Sequence, residues 1–184
     1  MQKKAIFLDR DGTINEDIGY LYKTEDLVFI PRAIDAMKIL QDEFLLFIIT
    51  NQQGISQGVF SEADFLDFNR SFLSILEEKG VSITELYFCP HTRQEKCKCR
   101  KPNTYFLSLA EKKYSLDLRN SYIIGDHPSD MEVSCNIDIK TIYILSGHGR
   151  KHLKELKIKP DYITDDLYEA AIKVKTINRY EEDG

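Results

Sequence analysis

Three short apolar runs, each stopping abruptly at polar residues, constrain this chain more than any other feature of its sequence. Ala5-Ile6-Phe7-Leu8 ends in Asp9-Arg10-Asp11-Gly12-Thr13, Leu45-Leu46-Phe47-Ile48-Ile49 ends in Thr50-Asn51-Gln52-Gln53-Gly54, and Ser121-Tyr122-Ile123-Ile124 ends in Gly125-Asp126. Unbroken apolar runs this short have the length of parallel strands buried on both faces. Between them the pattern predicts helices over 32–41, 61–79 and 104–113, with Ser61 and Asp64 placed as cap and first-turn acid of the second. Weaker strands are read at 85–88, 141–145 and 162–163. Strands alternating with helices imply an α/β fold, a mostly parallel sheet wrapped on both faces. In such sheets ligands bind beyond the carboxyl ends of the strands. The polar strand ends and the irregular segments 15–27 and 89–103 are expected to gather there.

A chain of 184 residues with 42% hydrophobic side chains has room for one good core, so a single domain over 1–184 with small insertions is expected. No repeat, low-complexity tract or Pro/Gly-rich linker divides it, and 181–184 read as a frayed tail. Lys plus Arg number 25 against 30 for Asp plus Glu, giving a net charge of −5 with the charges interspersed. That balance argues against nucleic acid and anionic membranes as partners, although a local cluster of metal and basic groups still attracts an anionic small molecule. No apolar run approaches the roughly 20 residues of a membrane helix, and a cytoplasmic, soluble and monomeric protein is expected.

Asp9 and Asp11 stand two apart just past a strand, where an extended backbone points both side chains the same way and Gly12 permits a sharp turn. One carboxylate can attack phosphorus while its neighbour handles protons. Asp-Gly surface turns are also common, so the pair alone decides little. Asp126, with Asp130 four residues on in the first turn of a helix, adds carboxylates at another strand end. If the sheet brings Asp126 beside Asp9, their repulsion calls for a hard divalent cation, and Mg2+ suits carboxylate oxygens, water and a phosphate oxygen together. Thr50 and Asn51 supply hydroxyl, amide and backbone groups for a phosphate, and Lys101 of Arg100-Lys101-Pro102 supplies an ammonium. His127 borders the same region; His148 and His152 carry no assigned role.

Cys89-Pro90-His91 and Cys97-Lys98-Cys99 form two pairs joined by a five-residue connection. Three thiolates and one imidazole suit a tetrahedral Zn2+ with no open position, hence a structural site in the loop 89–99. One-residue gaps differ from common zinc-finger spacing, and the polar setting of Glu95, Lys96 and Lys98 speaks against core cysteines. Cys135, alone on a helical pattern, is expected in the core.

Taken together, Asp9-Arg10-Asp11-Gly12-Thr13, Thr50-Asn51-Gln52, Arg100-Lys101-Pro102 and Gly125-Asp126 resemble, in order, the four motifs of the haloacid-dehalogenase (HAD) phosphatases. With Cys89, His91, Cys97 and Cys99 between the second and third motifs, the chain is similar over roughly residues 4–175 to the D,D-heptose 1,7-bisphosphate phosphatases and their histidinol-phosphatase relatives. The resemblance implies a three-layer Rossmann-like HAD fold with small cap insertions. It implies Asp9 as nucleophile and Mg2+ ligand, Asp11 as general acid/base and backbone-carbonyl ligand, and Asp126 as the further Mg2+ carboxylate. Thr50, Asn51 and Lys101 would hold the transferring phosphoryl group, Arg100 would reach the substrate, and Asp130 would stand off the metal. Gln53 and His127-Pro128 depart from the family pattern at the substrate rim.

The implied activity is removal of the C7 phosphate from a heptose bisphosphate, a small sugar-bisphosphate substrate. Histidinol phosphate is the alternative within the class. A non-catalytic zinc-stabilised binding module is the alternative of another class, disfavoured by retention of Asp9, Asp11, Lys101 and Asp126 together. A nucleic-acid 3′-phosphatase lacks a basic stripe with stacking aromatics.

Overall fold

The computed structural model describes residues 2–182 of the chain. Among these residues six strands form one sheet: β1 (Ala5–Leu8), β2 (Leu45–Asn51), β3 (Glu85–Cys89), β4 (Tyr122–Gly125), β5 (Lys140–Ile144) and β6 (Tyr162–Thr164). Their order is β3-β2-β1-β4-β5-β6, and every pairing is parallel. The chain therefore runs outward from β1 in one direction, returns, and runs outward in the other. The resulting switch point lies between β1 and its neighbours, the place where an open α/β sheet leaves a crevice at its carboxyl edge.

Alternation along each strand divides the core into two layers. Ile6, Leu8, Leu46, Ile48, Ile124 and Ile142 face one side, packing with α1 (Ala33–Gln41), α2 (Glu62–Glu78) and α6 (Leu167–Glu182). Ala5, Phe7, Phe47, Ile49 and Ile123 face the other, packing with Leu107 and Ala110 of α3 (Tyr105–Tyr114) and with Val133. A sheet buried on both faces needs apolar side chains at every strand position, which is why the runs read as continuous rather than alternating. Each fully buried aliphatic or aromatic side chain contributes about 1.5–3 kcal/mol.

The predicted strands and three longer helices match these elements closely. β2 extends past its apolar run through Thr50 and Asn51. Ser61 caps α2 in a reciprocal box, accepting from the Asp64 N–H at 3.1 Å while its own N–H donates to Asp64 Oδ2 at 2.9 Å. The sequence reading missed α6. Leu167, Ala170, Ala171 and Val174 are its buried apolar positions, an i, i+3, i+4, i+7 face whose small alanines gave a weak apolar signal. Of the tail read as frayed, 181–182 close α6, and 183–184 lie outside the described residues. Two four-residue helices, α4 (Pro128–Met131) and α5 (Gly149–His152), follow β4 and β5. Cys135 is a correction: it is exposed in the single turn after α4, because four residues of 3-10 helix turn its side chain away from the sheet.

The insertions are short. Residues 15–29 leave β1 as a loop closed at its base, where Glu16 N–H donates to Val28 O at 2.9 Å. No helix among the described residues is long and apolar enough to cross a membrane.

Candidate active site

Parallel register brings the first and fourth motifs together. Leu8 pairs with Ile124, and the Asp9 N–H donates to Ile124 O at 3.0 Å, so Asp9 leaves β1 beside Gly125 at the end of β4, with Asp126 the next residue along. The carboxylates of Asp9, Asp126 and Asp130 offer oxygen atoms that all lie within 4.8 Å of one another. Close approach needs two glycines. A Cβ on Gly12, whose φ is +84°, would sit 2.1 Å from Asp126 Oδ2, and a Cβ on Gly125 would sit 2.2 Å from Asp130 Oδ2.

Lys101, from the loop between β3 and α3, enters this acidic group almost completely buried. Its Nζ lies 2.8 Å from Asp9 Oδ1 and 2.6 Å from Asp130 Oδ1, and donates to Ile49 O at 2.8 Å. Burial works against its charge, but Asp130 and Asp9 outweigh that and hold the ammonium above the usual lysine range. Asp130 thus serves the lysine, from the first turn of α4, where its other oxygen accepts the His127 N–H at 3.2 Å.

The remaining charge is poorly compensated. Burial pushes the Asp9 carboxyl up to about 6 against the pull of Lys101, with Asp130 adding to the rise. Burial and then the neighbouring Asp9 push Asp126 up to about 8, opposed by the His148 N–H, which donates to Asp126 Oδ2 at 2.7 Å. Two buried carboxyls that resist ionising together, with oxygens already converging, have the donor set of a hard divalent cation such as Mg2+.

Asp11 is held differently. Its Oδ1 accepts from Arg10 Nε at 3.1 Å and Asn15 Nδ2 at 2.9 Å; its Oδ2 accepts from Arg10 NH2 and Gln52 Nε2, both at 2.8 Å. Asp9, Asp11, Thr50, Asn51, Arg100, Lys101 and Asp126 line one cleft of about 360 Å³, so every predicted catalytic and substrate residue is brought to one place. Asn51 braces the lysine, its Oδ1 accepting the Lys101 N–H at 3.1 Å, and Thr50 Oγ1 accepts from Gln52 Nε2 at 2.8 Å. His127 reaches the wall of the cleft, as do Asp17, Tyr20 and His148, to which the sequence gave no role. His148 Nδ1 lies 3.3 Å from Asp17 Oδ2 and ties the 15–29 loop to the β5–α5 turn. Arg10, which the sequence gave no role beyond its place in the first motif, is wholly buried against Asp11.

Beside the cleft, Cys89, His91, Cys97 and Cys99 close on one another. The Cys89 sulfur lies 3.0 Å from that of Cys99 and 3.4 Å from that of Cys97; Cys97 and Cys99 are 3.6 Å apart, and His91 Nδ1 is 3.6 and 3.4 Å from Cys89 and Cys99. These separations exceed an S–S bond and come close to the edges of a tetrahedron, about 3.8 Å between sulfurs at ordinary Zn–S lengths. All four cysteines are free thiols. The quartet braces the third motif: Arg100 NH1 donates to His91 O at 2.9 Å, and Asn103 Nδ2 to Cys97 O at 3.0 Å.

A parallel sheet with an acidic pair and a buried lysine at its switch point defines the chain as a HAD-type hydrolase, and a HAD-hydrolase-like family profile matches residues 98–170. The chain belongs to the D-glycero-D-manno-heptose-1,7-bisphosphate 7-phosphatase family. It is 39% identical over 165 residues to the α-anomer 7-phosphatase of Campylobacter jejuni, covering 85% of this chain and 95% of that one. It is 38% identical over 175 residues to the β-anomer 7-phosphatase of Haemophilus ducreyi, covering 91% and 96%. Its fold superposes with a TM-score of 0.86 on the D,D-heptose 1,7-bisphosphate phosphatase of B. bronchiseptica, solved with magnesium and phosphate; identity is 24%, and 94% of this chain and 98% of that one are covered.

Proposed function

We propose that this protein is a Mg2+-dependent phosphomonoesterase that removes the C7 phosphate of D-glycero-D-manno-heptose 1,7-bisphosphate by way of an aspartyl-phosphate. In the first half-reaction an Asp9 oxygen attacks phosphorus, the ester P–O bond breaks, and Asp11 gives its proton to the departing sugar oxygen. In the second, water attacks the aspartyl-phosphate, loses a proton to Asp11, and releases phosphate and the free Asp9 carboxylate. Lys101 holds the phosphoryl group from one side, with Thr50 and Asn51 beside it, and Arg100 meets the substrate at the rim. Asp9, the backbone carbonyl of Asp11, and Asp126 would hold Mg2+, whose charge neutralises the phosphoryl oxygens and lets Asp9 stay ionised. Cys89, His91, Cys97 and Cys99 would hold one structural Zn2+ in a single domain over 1–184, with 89–99 as its metal loop.

The observation that carries this reading is the convergence of the Asp9 and Asp126 carboxylates beside the Lys101 ammonium. The family supplies the sugar, since the related proteins are named for it in both anomeric forms. The test is phosphate release from a panel containing both anomers of heptose 1,7-bisphosphate, histidinol phosphate and an oligonucleotide 3′-phosphate, with and without Mg2+. Mg2+-dependent release, fastest on one heptose anomer, is expected. Equal rates across the panel would remove the substrate assignment, and Mg2+-independent release would remove the mechanism.

A further inference from the structure

Arg10 is a charged side chain with no solvent contact at all, lodged between the two acids of the first motif. Its guanidinium carbon lies 5.4 Å from the Phe65 ring centre and 5.0 Å from that of Phe68, two residues one turn apart on α2. Its planar fork takes both oxygens of Asp11, while NH1 donates to Asn69 Oδ1 at 3.4 Å and NH2 also to Leu21 O at 3.3 Å. If the slot between the two rings served only the core, an uncharged side chain would fill it without the cost of desolvating a cation. The guanidinium is instead matched to a carboxylate in a two-point geometry that no ammonium reproduces.

We infer that Arg10 is the positioning residue of the proton-transferring carboxylate: the Phe65–Phe68 slot fixes the guanidinium, and the guanidinium fixes Asp11 in the one orientation that presents Oδ2 to the cleft. This rests on the phosphomonoesterase reading above. A carboxylate has about four lone-pair sites, and here Arg10, Asn15 and Gln52 fill them. Arg10 and Asn15 are wholly buried, whereas Gln52 lies on the cleft wall, with its amide shared between Asp11 Oδ2 and Thr50 Oγ1. The Gln52 site is therefore the one that a leaving oxygen or a water can take over. Arg10 thus decides both that Asp11 faces the substrate and which of its oxygens carries the proton.

The test separates proton transfer from general damage by choice of leaving group. Nitrophenolate leaves without a proton, and a sugar alkoxide does not. Arg10→Lys keeps the charge and loses the fork. With p-nitrophenyl phosphate it is expected to retain a first-turnover burst within about threefold of wild type, then a steady state slowed about 10²–10³-fold, because hydrolysis of the aspartyl-phosphate still needs the base. With a sugar phosphate the first turnover is itself slowed, by about 10²-fold. Phe68→Leu removes one wall of the slot, leaves every polar group in place, and is expected to show the same split at smaller size, so the outcome does not depend on Arg10→Lys folding. Equal slowing of burst and steady state on both substrates, or wild-type kinetics in a folded variant, would overturn the role of Arg10. Wild-type protein without Mg2+-dependent phosphate release would instead refute the parent reading.

Discussion

The Lys101 ammonium stands between Asp9 and Asp130, 2.8 Å from one carboxylate and 2.6 Å from the other, with almost none of its side chain exposed to solvent. One cation thus serves two carboxylates, and its arrangement makes a demand in each direction. Asp130 anchors the lysine from the first turn of α4, and the lysine offers its charge to whatever Asp9 holds.

Removing that cation should therefore be costly twice. Lys101→Met leaves Asp9 and Asp130 facing each other uncompensated, and breaking a buried pair from one side costs about 3–5 kcal/mol, reduced here because the carboxyls can take up protons. The expected result is a lowered urea midpoint together with a fall in kcat of about 10²-fold or more. Asp130→Asn should give a smaller loss of both, since Asp9 still pairs with the lysine. Urea titrations and initial rates on the same preparations check the two effects.

Asp9 and Asp126 make a pH prediction with a definite sign. Burial raises both folded values, to about 6 and about 8, above the ordinary 3.8. A carboxyl raised on folding contributes stability that is fully present below its unfolded value and is lost as pH rises through its folded value. Metal-free protein should accordingly lose stability from about pH 4 to about pH 8 on account of this pair. Mg2+ binds the ionised carboxylates and should reverse the loss, so its increment in melting temperature should be larger at pH 8.5 than at pH 5.5. Thermal melts with EDTA or with Mg2+ at the two pH values decide it; an increment that shrinks with pH would contradict the site.

Much of this was legible in the sequence, and the exceptions have physical causes. Unbroken apolar runs such as Ala5–Leu8 identified a parallel sheet because burial on both faces leaves no room for alternation. The motif acids followed, since strand ends of such a sheet converge. Arg10 was not legible, because its meaning depends on Phe65, Phe68 and Asn69 about sixty residues away, which in sequence are only two apolar positions and one polar position of a helix. Asp17 and His148 lie on two loops whose approach no periodicity encodes. Cys135 went wrong for a related reason: a helical pattern was assumed to continue, whereas the chain tightens into a single 3-10 turn and aims the thiol outward.

The group Cys89, His91, Cys97 and Cys99, proposed to hold zinc, should influence catalysis through Arg100 rather than directly. Burial, reinforced by the neighbouring Cys99, pushes the Cys89 thiol up, so four close ligands without a metal are a poorly compensated group. Cys97→Ser should lower bound zinc, measured by elemental analysis of protein purified without chelator. Since the loop carries the His91 carbonyl that orients Arg100 and the Cys97 carbonyl that holds Asn103, the apparent KM should rise more than kcat falls. A fall in kcat alone would place the loop's influence elsewhere.

Gly12→Ala tests the spatial claim on which the active-site reading stands. The new methyl would lie 2.1 Å from Asp126 Oδ2, at a residue whose φ of +84° already disfavours a side chain. Backbone strain in that region costs about 1–2 kcal/mol, and the carboxylate must additionally move away. The displacement should be felt at the metal before it is felt in the fold: a rise in the Mg2+ concentration giving half-maximal activity of about 10-fold or more, with a melting temperature lowered by only a few degrees. Titration of activity with Mg2+ measures the first and calorimetry the second. An alanine variant with unchanged Mg2+ dependence would mean that Asp126 does not sit against the first motif, and the assignment of a shared cation between Asp9 and Asp126 would fail with it.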